Sequence, residues 1–202
     1  MDFVTNINGY TLEYIDNEHI YLINGVIVPS ITQILKSKFG NKYSNVRRDV
    51  LERARVNGTQ IHDAIEKYCK EGIECDLKEL HNFKFLMKKY KFTVKGNEIP
   101  VILFKDGKPI SAGRLDLVLE LDGKIGGADI KRTATLDKEY LAYQLNLYRI
   151  AYKQCYGVEW EFLRGLHLRD DKRKFVEIPI NEDKALELVN NYLKEADDLS
   201  IK

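Results

Sequence analysis

The chain has 202 residues, 44% of them apolar and 31% charged, which suits one globular domain with a real core and excludes a disordered or fibrous protein. Its 32 Lys and Arg nearly balance 31 Asp and Glu, so a uniformly basic nucleic-acid coat is excluded and any charged partner must meet a local patch. No apolar run reaches the length of a membrane span, and Met1 to Tyr10 lacks the grading of a signal peptide, so a cytoplasmic protein with no membrane partner is expected. Three scattered cysteines, Cys69, Cys75 and Cys155, fit neither a disulfide framework nor a tetracysteine metal site.

The charge is unevenly spread. Residues 1–35 hold four acids and no Lys or Arg, Lys36 to Arg55 holds seven basic residues, and Lys84 to Lys95 holds five lysines with no acid. Within 1–35, Tyr, Leu, Ile and Val alternate with polar residues around the turn signals Asp16-Asn17 and Asn24-Gly25, which predicts a β-meander ending at Pro29. A helical segment follows over 36–91. Ser44 is placed to cap a helix that Asn57-Gly58 stops, Thr59 to cap a second through Ile61, Ile65 and Tyr68, and a third runs from about Leu77 to Tyr90. Asp106-Gly107 and Asp122-Gly123 then divide Glu98 to Lys131 into three antiparallel strands. Asp137 opens a long helix to about Tyr156, two further strands follow, and a last helix presents Leu186, Val189 and Leu193 on one face. The whole, 1–202, reads as a single α/β domain whose sheet and flanking helices occupy 92–202.

The hairpin around Asp122-Gly123 carries the chemistry. With a two-residue turn, paired positions sum to 245, so Asp116 falls opposite Asp129 and Arg114 opposite Lys131. Carboxylates facing each other at about 4.5–5.5 Å between Cβ atoms repel, and a divalent cation would cancel that repulsion. Asp129 and Lys131 share a face because strand side chains alternate. This set suits metal-assisted hydrolysis: Asp116, Asp129 and the Ile130 carbonyl as oxygen ligands of Mg²⁺ or Mn²⁺, and Lys131 orienting or deprotonating a water. The plain alternative is a solvated surface hairpin, and a bulge at Gly126-Gly127 would break the register. His62, at about the third position of its expected helix, would be held neutral by the helix dipole and so fit for a metal, with Glu66 one turn on as its partner; a hydrogen-bonded boundary histidine is the alternative.

These residues fall into a pattern. Gly58-Thr59-Gln60-Ile61-His62 with Ile65-Glu66, Gly113 to Asp116, Asp129-Ile130-Lys131 and Gln144 to Tyr148, preceded by Val28-Pro29-Ser30-Ile31-Thr32, resemble in order the motifs of the PD-(D/E)xK nuclease superfamily, in its RecB-type and phage-exonuclease-like branch. The resemblance implies a restriction-endonuclease-like core with a central mixed sheet flanked by helices, and a Mg²⁺- or Mn²⁺-dependent DNA exonuclease acting on linear ends in recombination, repair or phage DNA processing, with a recombination or annealing protein as partner. It implies catalytic roles for Asp116, Asp129 and Lys131, metal ligation by His62, substrate contacts by Gln144, Tyr148 and Arg114, and an acid, Glu98, before the first motif strand. The register argues against Glu98: with a two-residue turn at Asp106-Gly107 it pairs with Leu115 and points away from Asp116 unless a bulge intervenes. Arg132 stands where a Thr often follows the Lys, and Thr133 is given no role. The rivals are a nonenzymatic nucleic-acid-binding or assembly protein on the same fold and a Cas4-like exonuclease, whose four cluster cysteines this chain lacks.

Overall fold

A computed structural model describes residues 2–40, 46–170 and 172–200. The chain opens with an antiparallel meander of β1 (Phe3–Ile7), β2 (Tyr10–Ile15), β3 (Ile20–Ile23) and β4 (Val26–Val28). Asn24 and Gly25 both take positive φ, 50° and 78°, as a tight hairpin turn requires. The last meander strand ends at Val28, next to the expected Pro29. Ser30 and Gln33 form a reciprocal capping box, with the Gln33 N–H donating to Ser30 Oγ at 3.1 Å and the Ser30 N–H to Gln33 Oε1 at 2.7 Å, and α1 (Ile31–Phe39) follows.

The next helix differs from expectation in a way that matters for the site. The predicted cap Ser44 lies outside the described residues, and Asn57-Gly58 does not stop the helix: α2 runs unbroken over Arg48–Glu71. Thr59 is no cap, because its hydroxyl donates back to the Arg55 carbonyl at 3.2 Å. A mid-helix glycine costs about 0.5–1 kcal/mol, too little to break a helix whose later turns are anchored by buried Ile61 and Ile65. The helix ends at Gly72 in the left-handed conformation. His62 is therefore the middle of a long helix, and the dipole argument for its neutrality does not hold.

After α3 (Lys78–Tyr90) come β5 (Thr93–Lys105), β6 (Lys108–Leu121) and β7 (Lys124–Lys131), then α4 (Lys138–Tyr156), β8 (Phe162–Arg169), β9 (Lys172–Ile178) and α5 (Glu182–Ser200). Asp137 caps α4 by accepting from the Tyr140 N–H at 3.0 Å. The five strands form one sheet in chain order, antiparallel except for β7 and β8, which run parallel because α4 carries the chain back between them. One sheet face packs against α1, α4, α5 and the meander around Trp160, Leu145 and Tyr148; the other packs against α2 and α3 around Ile65, Phe83 and Ile130. The protein is thus α/β, a mixed five-stranded sheet flanked by helices with an antiparallel four-stranded meander at its N-terminus. Among the described residues no helix is long and apolar enough to cross a membrane.

Gly126 and Gly127 pair regularly with Leu119 and Val118, so the feared bulge is absent there. Their use is clearance: a Cβ on Gly127 would lie 1.9 Å from the Trp160 ring.

Candidate metal centre

The β6–β7 ladder keeps the 245 register from Leu121↔Lys124 to Leu117↔Ala128 and then opens. Where the next rungs would lie, the Ile130 N–H donates instead to Asp116 Oδ2 at 2.7 Å. A residue on an extended strand directs its N–H and C=O to the same edge, so the Ile130 carbonyl also faces this opening. Arg114 pairs with Pro100 on β5, not with Lys131. Because the sheet parts here, α2 on one face and α4 on the other both reach the gap: His62 comes from the first, Gln144 and Tyr148 from the second.

Glu98 reaches the site by a bulge. β5 and β6 pair Lys105↔Lys108 and Phe104↔Pro109, but then Leu103↔Ser111, leaving Ile110 as an extra residue on β6. The register moves by one, so that Ile99↔Leu115 and Asn97↔Leu117 bracket Glu98 and set it opposite Asp116. Glu98 itself has φ of 50°, a strained backbone for a residue with a side chain and of the kind that collects at functional sites. The Glu98 Oε1 lies 3.1 Å from His62 Nδ1 and its Oε2 lies 2.6 Å from Arg114 Nε, while His62 Nδ1 stands 3.6 Å from Asp116 Oδ1. Among the described residues, His62, Glu98 and Asp116 are the group of three whose ligand atoms lie within 4.8 Å of one another.

Asp129 is 2% exposed and is held by Lys131, with 2.6 Å between Oδ2 and Nζ. Burial pushes the Asp129 carboxyl up to about 6 against the pull of the Lys131 ammonium. Burial also raises Asp116, although His62 draws it down. For His62 burial works downward, but the Asp116 charge and the Glu98 hydrogen bond outweigh it and lift the imidazole to about 9. Lys131 behaves alike: burial lowers it, and Asp129 and Asp116 more than compensate, so it stays an ammonium. Glu98, Asp116 and Asp129 gather around the His62 imidazolium, the Lys131 ammonium and the Arg114 guanidinium, so the carboxylates are in excess once the imidazole gives up its proton.

The cleft measures about 470 Å³. Its floor is the acidic group, and Lys131, Arg114, Gln144 and Tyr148 line it as well. The Gln144 side chain is almost fully buried and its Oε1 has no hydrogen-bond partner. The Tyr148 ring packs on Gly113, where a Cβ would lie 2.9 Å from Cε1, which explains a glycine three residues before Asp116. Arg114 lies over the Tyr14 ring at 5.6 Å. Glu66 does not hold His62; it pairs with Lys70 one turn on, at 2.5 Å, and Glu98 takes the place expected of it. Arg132 points away from the cleft to buried Glu79, at 2.8 Å. Thr133 contributes its carbonyl, which accepts from His167 Nε2 at 2.6 Å if that nitrogen carries the proton.

Sequence reasoning placed no residue of the meander in the cleft, yet Tyr14, His19 and Tyr21 form one wall, with Tyr14 Oη 2.9 Å from His19 Nδ1. The signal was the pairing Tyr14↔Tyr21 across the β2–β3 turn, which puts both rings on the inner face of the sheet. Among the described residues, a second concavity of about 540 Å³, beside Phe162, Arg164 and Glu177, has no comparable group of ligand side chains.

The chain matches no protein-family model and no curated protein. Among solved structures it is similar to one titled "Crystal structure of SSO0001", with 12% sequence identity and a TM-score of 0.44 over 83% of this chain and 75% of that one.

Proposed function

We propose that this chain is a cytoplasmic, metal-dependent deoxyribonuclease of the PD-(D/E)xK type that removes nucleotides from DNA ends, in recombination, repair or phage DNA processing. The observation that carries the reading is the convergence of His62, Glu98 and Asp116 within 4.8 Å beside the Asp129–Lys131 pair, in one open cleft. One imidazole and two carboxylates, with the Ile130 carbonyl on the same edge and Asp129 adjoining, form a donor set suited to Mn²⁺ or Mg²⁺. With the His62 imidazole neutral, as ligation requires, the carboxylates outnumber the cations, and such an ion would neutralise that excess.

His62, Glu98 and Asp116 would hold the ion, and it would supply Lewis acidity toward a phosphoryl oxygen. Arg114, braced by Glu98 and Tyr14, offers a guanidinium to a neighbouring phosphate. Lys131, an ammonium, donates to the attacking water and offsets the charge that grows on the phosphoryl group. Asp129, with a carboxyl near 6, has the basicity to accept the water's proton as the bond from phosphorus to the leaving sugar oxygen breaks. Gln144, buried with an unpartnered amide oxygen, and Tyr148 border the substrate's path.

The test uses purified protein with end-labelled linear and closed circular DNA in Mg²⁺, Mn²⁺ or EDTA. The expected result is loss of the linear substrate from its ends in either metal, with the circle spared. Cleavage that persists in EDTA, or none with any metal and substrate form, would refute the reading.

A further inference from the structure

Gly58 is the position on α2 that the fold itself does not explain. It lies inside the helix without a positive φ, and among the described residues a Cβ there would meet nothing within 4 Å. Glycine weakens a helix interior relative to alanine, and the internal reasons for tolerating it, a left-handed turn or a tightly packed neighbour, are both lacking. The open space over bare helix backbone leaves room for close approach by something outside the chain.

The surroundings say what that is. Gly58 stands one turn before His62 on the same side of α2, and Arg55 and Arg48 stand seven and fourteen residues before it. At 100° per residue the four positions fall within an arc of about 80°, with the arginines about 10 and 21 Å along the axis from His62. Both arginines are exposed. Arg55 donates to Glu52 at 2.7 Å and also feels the charge of Asp16, in the turn beside the Tyr14 and His19 wall, so the stripe runs from the mouth of the cleft. Each interval of about 10 Å equals the rise of three stacked nucleotides at roughly 3.4 Å each. Arg53, nine residues before His62, is tied to Asp49 at 2.8 Å much as Arg55 is to Glu52 at 2.7 Å, and differs in lying on the opposite side of the helix.

We propose that the Gly58, Arg55, Arg48 stripe of α2 is the track along which the phosphate backbone of a DNA strand leaves the cleft, with Gly58 the point where the strand lies against bare helix backbone. The inference rests on the nuclease reading of the cleft and adds to it the course of the substrate. A positive stripe continuous with the acidic floor selects a polyanion whose scissile phosphate sits at the floor.

The experiment measures binding of a fluorescein-labelled duplex with one single-stranded overhang, in EDTA, from 50 to 200 mM salt, with thermal unfolding of each variant. Arg48→Gln and Arg55→Gln should each weaken binding several-fold and reduce the log–log salt slope by about 0.9, whereas Arg53→Gln, with the same loss of charge on the same helix, should leave the slope unchanged. Gly58→Ala should raise the Tm by about 2 °C and still weaken binding, and Gly58→Leu should weaken it at least tenfold without lowering the Tm. Equal slopes for all three arginine variants, or full affinity in Gly58→Leu, would overturn the track. If the wild type cuts DNA in Mn²⁺ while the stripe variants bind normally, the track alone fails; a wild type that neither binds nor cuts DNA overturns the nuclease reading with it.

Discussion

Without metal, the cleft should make the protein's stability fall as pH rises, and His62 should carry much of that effect. Its imidazole titrates at about 9 in the folded chain against 6.5 ordinarily, because Asp116 and Glu98 outweigh its burial. A histidine raised in this way contributes stability that is fully present below pH 6.5 and is lost as pH climbs through 9. At 1.36 kcal/mol per pH unit the contribution is on the order of 3 kcal/mol, and in a chain of this size 1 kcal/mol moves the Tm by about 2–4 °C. In EDTA, then, the Tm of the wild type should fall between pH 6.5 and 9 by roughly 6–12 °C more than that of His62→Gln, followed by circular dichroism. Asp129 acts in the same direction at lower pH: its carboxyl is raised from 3.8 to about 6, so its contribution is greatest below 3.8 and is lost as pH rises through 6. Saturating Mn²⁺ should reverse the trend above pH 6.5, since ligation needs the neutral imidazole. Parallel Tm profiles for wild type and His62→Gln in EDTA would refute the electrostatic account of the cleft.

Lys131→Ala should lower the single-turnover cleavage rate in Mn²⁺ by about 10²–10³ while DNA affinity changes far less, because the ammonium acts on charge that develops during reaction. Gly127→Ala should destabilise by about 1–3 kcal/mol in urea titration, since its Cβ would overlap the buried Trp160 ring. Arg132→Ala should cost about 3 kcal/mol in the same assay by leaving buried Glu79 without its cation, and Glu79→Gln in that background should recover part of the loss.

Local signals were strong wherever a short rule sets the outcome. The Asp122-Gly123 turn fixed the register of five consecutive rungs, and Asp137 caps α4 where its position indicated. The candidate site was legible to the extent that Asp116, Asp129, Lys131 and His62 line one cleft. Glu98 was harder, because a single unpaired residue, Ile110, turns a strand's side chain from one face to the other, and nothing in the composition of β6 announces that bulge. The unbroken α2 was missed because Asn57-Gly58 is a stop signal in isolation, and tertiary burial of Ile61 and Ile65 overrides it. Glu66 illustrates a further limit: helical spacing allowed it to reach His62 or Lys70, and only the packing of β5 against α2 decides that Glu98 takes the histidine. The Tyr14↔Tyr21 pairing sets both rings on one face of the meander, but the meeting of that face with the cleft is long-range packing that no local pattern encodes.

The most direct test of the account is calorimetric titration of the metal-free protein with Mn²⁺ in the absence of DNA, on the wild type, Asp116→Asn and Asp122→Asn. The account predicts a saturable site in the wild type that Asp116→Asn abolishes and the exposed turn variant Asp122→Asn leaves intact. Undiminished Mn²⁺ binding by Asp116→Asn, or no binding by the wild type, would contradict it.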